Sequence, residues 1–177
     1  MVELASLQPE HVAHFYTWIQ DSEVIAYSLS AFQAMKTTQQ IDQWFAATLQ
    51  QPNSLNLGIY LQDTHALIGY AGLSDISTTN HSAEYFIFIG EKAQWGKGIG
   101  TAVTKQIVRL GFTSHQLNRI MLTVSEINGG GMKAYAKAGF LVEGRLRQAA
   151  CQQGLFHDKI VMSVLKAEWQ QQDAAGY

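Results

Sequence analysis

The 177 residues read as one α/β domain: a mixed central sheet of about six to seven strands with helices on both faces. Three observations predict it. Ala83 to Ile89 alternates as a strand, a glycine-rich turn follows, apolar residues run at helical spacing to Phe112, and a second apolar run begins at Leu117, which together make a βαβ unit. On either side of that unit, alternating segments separated by short turns pair as antiparallel hairpins, so the sheet is mixed. Hydrophobic residues make up 47% of the chain and no Pro, Gly or Ser linker divides it, which suits a single core.

Each element follows from local pattern. Val2 to Leu7 opens as a short strand, and Pro9 begins a helix that places Val12, Phe15 and Ile19 on one face. Thr37 and Gln40 have the spacing of a capping box for a second helix with the stripe Ile41, Trp44, Phe45 and Leu49. Leu55, Leu57, Ile59 and Leu61 alternate, and Asp63-Thr64 turns the chain into Ala66 to Leu73, a hairpin. In the next strand Glu84, Phe86 and Phe88 face one side, and Tyr85, Ile87 and Ile89 the other. Ile99, Val103, Ile107 and Leu110 mark the crossover helix, with Leu73, Leu110 and Phe140 expected in the core. Leu117 to Val124 is the parallel neighbour strand. Met132 to Ala138 is a short helix that starts one turn after the Gly129-Gly130-Gly131 run and is stopped by Gly139. Leu141 to Ala149 and Lys159 to Leu165 form an antiparallel pair around Gly154. Residues 1–168 are assigned to the domain and 169–177 to a C-terminal tail, in which Gln170-Gln171-Gln172 is a frayed end.

Composition narrows the functional classes. A net charge of −2 without a Lys/Arg block argues against non-specific nucleic-acid binding. The single cysteine, Cys151, can form no internal disulfide and points to a reducing, cytoplasmic setting. No apolar run approaches the roughly 20 residues of a membrane span, and none of the six histidines has metal-ligand spacing, so neither a membrane nor a metal is expected.

The stretch Gln94-Trp95-Gly96-Lys97-Gly98-Ile99-Gly100-Thr101 carries the most chemistry. Glycines let a backbone approach an anion closely, and the unpaired first-turn N–H groups of a helix point at it from the positive end of the dipole. Two nucleotide signatures fail here. A P-loop needs four residues between Gly and Gly-Lys, but five separate Gly90 from Gly96, and Gly98 rather than Ser or Thr follows Lys97. The dinucleotide fingerprint needs glycine at 101 or 103, where Thr101 and Val103 stand. Glu126 at the end of the next strand is the residue a dinucleotide reading would use for the ribose.

A second cluster lies downstream: Asn128, then Tyr135, Lys137, Gly139 and Phe140. Together with Gly96 to Thr101 it resembles the GNAT superfamily of acyl-CoA-dependent N-acyltransferases, through its pyrophosphate motif and its N-x6-Y-x-K-x-G-F block. The likeness covers nearly the whole chain. Trp18, Asp21, Glu23 and Val24, with Gly144-Arg145-Leu146-Arg147 and Gly154 to Asp158, resemble the branch of ribosomal-protein alanine N-acetyltransferases and their small-amine relatives. Trp95 replaces the usual glutamine or arginine of the motif, and Gly129-Gly130-Gly131 replaces helix-forming residues.

The resemblance implies acetyl-CoA as co-substrate and a primary amine as acceptor, on a small molecule or a protein N-terminus, in a monomer or homodimer. Phe88, Ile89 and Gly90 would pair with the peptide-like pantetheine arm, and Trp95, Gly96, Lys97, Gly98, Ile99, Gly100 and Thr101 would hold the pyrophosphate. Lys97 either meets a phosphate or stays solvated. Tyr135 would protonate the leaving thiolate, its reference pKa of about 10 matching a thiol of similar basicity, or else it only packs. Asn128 would position the pantetheine or a water, or simply cap a helix. The base would be Glu84 acting through water, with Glu126 as alternative, or else both are solvated charges; Asp21 and Glu23 either draw in a cationic amine or are surface charge. Readings from other classes are a silent acyl-CoA sensor and a nucleotide-binding oxidoreductase.

Overall fold

The computed structural model describes residues 1–28, 30–152 and 154–174. The alternating segments become strands β1 (Val2–Ser6), β2 (Leu55–Leu61), β3 (Leu67–Ser77), β4 (Ser82–Ile89), β5 (Arg119–Ser125), β6 (Leu141–Gln152) and β7 (Leu155–Leu165). The helices are α1 (Val12–Gln20), α2 (Ser30–Ala34), α3 (Thr38–Gln50), α4 (Ile99–Thr113), α5 (Gly129–Lys137) and α6 (Lys166–Ala174). The strands form a single sheet in the order β1-β2-β3-β4-β5-β7-β6, antiparallel throughout except for β4 with β5. The sheet is mixed, as the pattern of hairpins around one βαβ unit requires.

Local chemistry sets several element ends. Thr37 accepts the backbone N–H of Gln40 at 3.2 Å while the Gln40 side chain accepts that of Thr37 at 3.1 Å, the reciprocal cap read from their spacing. Pro9 opens a short 3₁₀ turn ahead of α1. Gly139 takes φ +97°, the left-handed position that closes α5.

Four segments differ from the sequence reading. α2 has too few residues to show a period, and it is held by Phe32, which inserts against Trp44 and Phe88. The β6–β7 hairpin runs beyond Ala149 and starts before Lys159, through residues whose exposure hides any alternation. α5 begins at Gly129 rather than one turn later, because the Asn128 side chain caps the Gly131 N–H at 2.9 Å and so holds a turn that three glycines disfavour by about 1 kcal/mol each. The glutamine run belongs to α6 instead of a frayed end; Trp169 anchors that helix, its ring 5.5 Å from Phe112.

Two apolar layers sandwich the sheet. Leu73, Tyr85, Ile120, Leu122, Ile160, Met162 and Val164 pack against Val103, Ile107 and Phe112 of α4. On the opposite face Tyr70 and Phe88 pack against Phe15, Trp18, Phe32 and Phe45 from α1 to α3. Among the described residues, this second layer draws on β2 to β4 and not on β5 to β7. The face bearing Glu84, Thr123, Ser125 and Lys159 is therefore open beyond β4.

Leu73 is fully buried and Phe140 is 2% exposed, whereas Leu110 is only partly buried. Leu73→Ala and Phe140→Ala should each lower stability by about 2 to 5 kcal/mol, and Leu110→Ala by less, as read from urea denaturation.

Candidate active site

The site is built where the two parallel strands part. β4 and β5 pair only over Ser82 to Glu84 with Arg119 to Met121. Beyond that point β4 stays with β3 as far as Ile89, and β5 stays with β7 as far as Ser125, so a fork opens between them. Backbone groups on the inner edge of β4 are left without a strand partner, an edge that a peptide-like chain can join. Tyr85, Tyr135 and Phe140 pack ring to ring beside the fork, with centroids 6.0 to 6.3 Å apart.

On the α4–α5 side, a cavity of about 520 Å³ is walled by Phe88 and Ile89, by the glycine turn and by the start of α5. Gly98 is the N-cap of α4 at φ +80°, and Gly96 stands at φ +74°. No side chain caps the first turn of α4, and a Cβ at either glycine would meet nothing within 4 Å, so the backbone lies bare to the cavity. The N–H groups of Ile99, Gly100 and Thr101 lie ahead of the first turn's acceptors and have no intrahelical partner. A bare, positively polarised turn beside a free strand edge suits a diphosphate joined to an amide-rich arm.

A second cavity of about 410 Å³ lies on the open face and is lined by Glu84, Thr123, Ser125 and Lys159, among others. Tyr27, Ser28, Ile87, Phe88, Asn128 and Tyr135 line both cavities, so the two meet through the fork. The Tyr135 hydroxyl has no hydrogen-bond partner among the described residues, and burial pushes this phenol up to about 12, so it keeps its proton at neutral pH. Glu84 is half-buried and raised above the ordinary carboxylate range by desolvation, then by Asp75, with Lys159 acting the other way.

The remaining sequence candidates divide plainly. Phe88, Ile89, Trp95, Gly96, Gly98, Ile99, Gly100 and Thr101 line the first cavity together with Asn128 and Tyr135, and Glu84 lines the second. Trp95 donates its indole N–H to the Ile89 carbonyl at 3.0 Å, tying the turn back to the end of β4. Gly90 and Lys97 are not in either wall. A Cβ at Gly90 would lie 2.0 Å from the Trp18 ring, so this glycine serves the packing of α1, and Lys97 instead donates to Gln94 at 3.1 Å. Asn128 spends its amide oxygen on the α5 cap, which leaves Nδ2 as its free donor.

Three acids weighed from sequence are already occupied. Asp21 and Glu23 both pair with Lys92, at 2.8 and 3.0 Å. Glu126 pairs with Arg145 and accepts the Asp158 N–H, which fastens the loop after β5 to the hairpin. Tyr27, Gln33 and Lys159 were not anticipated as wall residues. Only Lys159 left a signal, as a charge in phase with Val161 and Ser163 on one face of β7.

A fork between parallel strands, with a phosphate-type turn on one side and an acid-bearing cavity on the other, defines an acyl-CoA-dependent N-acyltransferase. Comparison with known proteins agrees: residues 2–141 match the acetyltransferase (GNAT) domain. The chain belongs to the GNAT acetyltransferase family, and it is an enzyme with acetyl-CoA as co-substrate. It is 30% identical over 155 residues to YoaA of Bacillus subtilis, named as an N-acetyltransferase, covering 87% of this chain and 86% of that one. It is also 30% identical over 105 residues to YdaF of Bacillus subtilis, whose name assigns it provisionally to ribosomal N-acetylation, covering 59% and 57% of the two chains. The crystal structure of spermidine N-acetyltransferase from Vibrio cholerae, in complex with CoA and spermine, shares the fold with a TM-score of 0.85 at 20% identity, over 96% of this chain and 98% of that one.

Valine at Gly98 would have to hold φ +80°, where a β-branched residue is strained, and would fill the open space before the turn. Gly98→Val should keep the fold and weaken CoA binding at least about tenfold by calorimetry, or about 1.4 kcal/mol.

Proposed function

We propose that a primary amine, on a small molecule or a protein N-terminus, enters the Glu84 cavity and is acetylated by direct attack, with no covalent enzyme intermediate. The observation that carries this reading is the junction of the two cavities at Tyr135 and Asn128, where β4 and β5 part. Acetyl-CoA supplies a thioester whose carbonyl carbon takes the amine and whose sulfur departs as the thiol. The residues of this chain supply position and protons.

The glycine turn and the first-turn N–H groups of α4 hold the diphosphate, and the inner edge of β4 orients the pantetheine amides. The Glu84 carboxylate takes the proton of the incoming ammonium, directly or through one water, and its raised pKa makes it a better base than an exposed carboxylate. The Tyr135 hydroxyl gives its proton to the departing sulfur. Burial keeps this phenol protonated at neutral pH, so the proton is in place to be given. Asn128 holds the loop after β5 and offers Nδ2 to the arm. We place the reaction in a reducing cytosol, since Cys151 is exposed and unpaired.

Family membership removes the oxidoreductase reading. A sensor that binds acetyl-CoA without turnover is the reading that an acceptor screen, following free CoA and product mass, separates from catalysis.

Tyr135→Phe should retain the fold and CoA affinity while lowering kcat by roughly 10²- to 10⁴-fold, with a smaller loss for donors whose leaving thiol is more acidic. Unchanged kcat with chemistry rate-limiting would return Tyr135 to packing.

Glu84 must be ionised to act, and its pKa is raised in the folded protein. The kcat profile should therefore climb with pH through a limb above the ordinary carboxylate range, and Glu84→Gln should lower kcat and abolish that limb.

A further inference from the structure

The acceptor cavity holds two charged side chains among the described residues that line it, Glu84 and Lys159, and they are of opposite sign. They reach it from different strands. Glu84 stands on β4 opposite Met121 of β5, and Lys159 stands on β7 opposite Ser125 of the same β5. Facing pairs share a side of the sheet, so both side chains rise from the open face, Glu84 where the fork begins and Lys159 beside the end of β5. Each is half-buried. Neither forms an ion pair or side-chain hydrogen bond with another described residue, whereas four other acids near the site have found a cation: Asp21 and Glu23 have Lys92, and Glu126 and Asp158 have Arg145.

Half-buried charges left apart forgo hydration without gaining a partner, an arrangement that a ligand can repair. One carboxylate suits one ammonium. A polycationic acceptor would bring several positive charges to a cavity with a single acid and a lysine, and its surplus would face Lys159.

We propose that the acceptor is a small amine that also carries an anionic group, a carboxylate or a phosphate, held by the Lys159 ammonium while its amine faces Glu84. The cavity of about 410 Å³ admits a molecule of that size. Lys159 is then a specificity-determining residue: it binds the acceptor's anion and takes no part in the proton transfers. This inference rests on the acetyltransferase reading above, and it narrows the acceptor class of that site.

The test compares acceptors that differ in one terminal group: γ-aminobutyrate, butylamine and butane diamine, with ethanolamine phosphate against ethylamine to separate carboxylate from phosphate. Purified protein and acetyl-CoA are used, and free CoA and product mass are followed. The expected result is a kcat/KM at least about tenfold higher for an anionic acceptor than for its uncharged-tail partner, carried mostly by KM. Lys159→Gln should remove that advantage, whatever shift of the Glu84 limb the plain and anionic acceptors share, while Lys159→Glu should turn the preference toward the diamine. If Lys159 only adjusts Glu84, Lys159→Gln moves the pH profile of plain and anionic acceptors alike and leaves their ratio intact, which overturns the proposal. It is equally overturned if the wild type prefers the diamine or the plain amine. Glu84→Gln separates the two claims: full turnover in that variant with the anionic preference intact removes the base assignment and leaves the acceptor class standing.

Discussion

Everything at this site depends on the early end of the β4–β5 pairing. Two parallel strands that stayed in register to their ends would satisfy each other's backbone groups and leave a closed sheet. Here the ladder stops at Glu84 and Met121, and each strand remains bound to its outer antiparallel neighbour. The fork is thus stable without a ligand, because β3 and β7 hold its arms. What remains unpaired is the inner edge, and that is the surface a peptide-like substrate can use.

The fork also explains why the two cavities lie where they do, the glycine-turn cavity toward α4 and α5 and the Glu84 cavity on the open face. α4 leaves the end of β4 through the Gly96–Gly98 turn and packs on one side, carrying its unpaired N–H groups there. α1 to α3 cover the other face only as far as β4, so Glu84 and Lys159 stay accessible. A substrate bound on each side can meet only through the gap, beside Tyr135. Electrostatics then sorts the acids: those fastening Lys92 or Arg145 hold loops in place, and Glu84, which fastens nothing, is the one we propose as the base.

The glycines show how one residue type serves different ends. Gly98 supplies a left-handed cap that opens α4 to an anion, while Gly90 makes room for the Trp18 ring. Gly131 lies where a Cβ would be 2.7 Å from the Asn128 amide, so the cap of α5 and the absence of a side chain at Gly131 require one another. From spacing alone, Gly90 looks like the end of the pantetheine edge and Lys97 like part of the phosphate turn; in the fold Gly90 also makes room for the Trp18 ring, and the Lys97 ammonium donates to Gln94.

The sequence by itself determined the strand order's central βαβ unit, the hairpins beside it, the glycine turn, and the pairing of that turn with Asn128 and Tyr135. These are matters of local spacing, where hydrophobic period, capping residues and left-handed glycines act over a few residues. Only the tertiary structure decided where the ladder between β4 and β5 ends, which acids are already neutralised, and that Glu84 and Lys159 share a cavity. Such facts depend on residues far apart in the chain, such as Asp21 with Lys92 or Glu84 with Lys159, and a charge in a sequence carries no mark of the partner that folding brings to it. The helix around Trp169 and the short one at Phe32 are of the same kind: each is held by aromatic contact with distant elements, for which no period exists to be read.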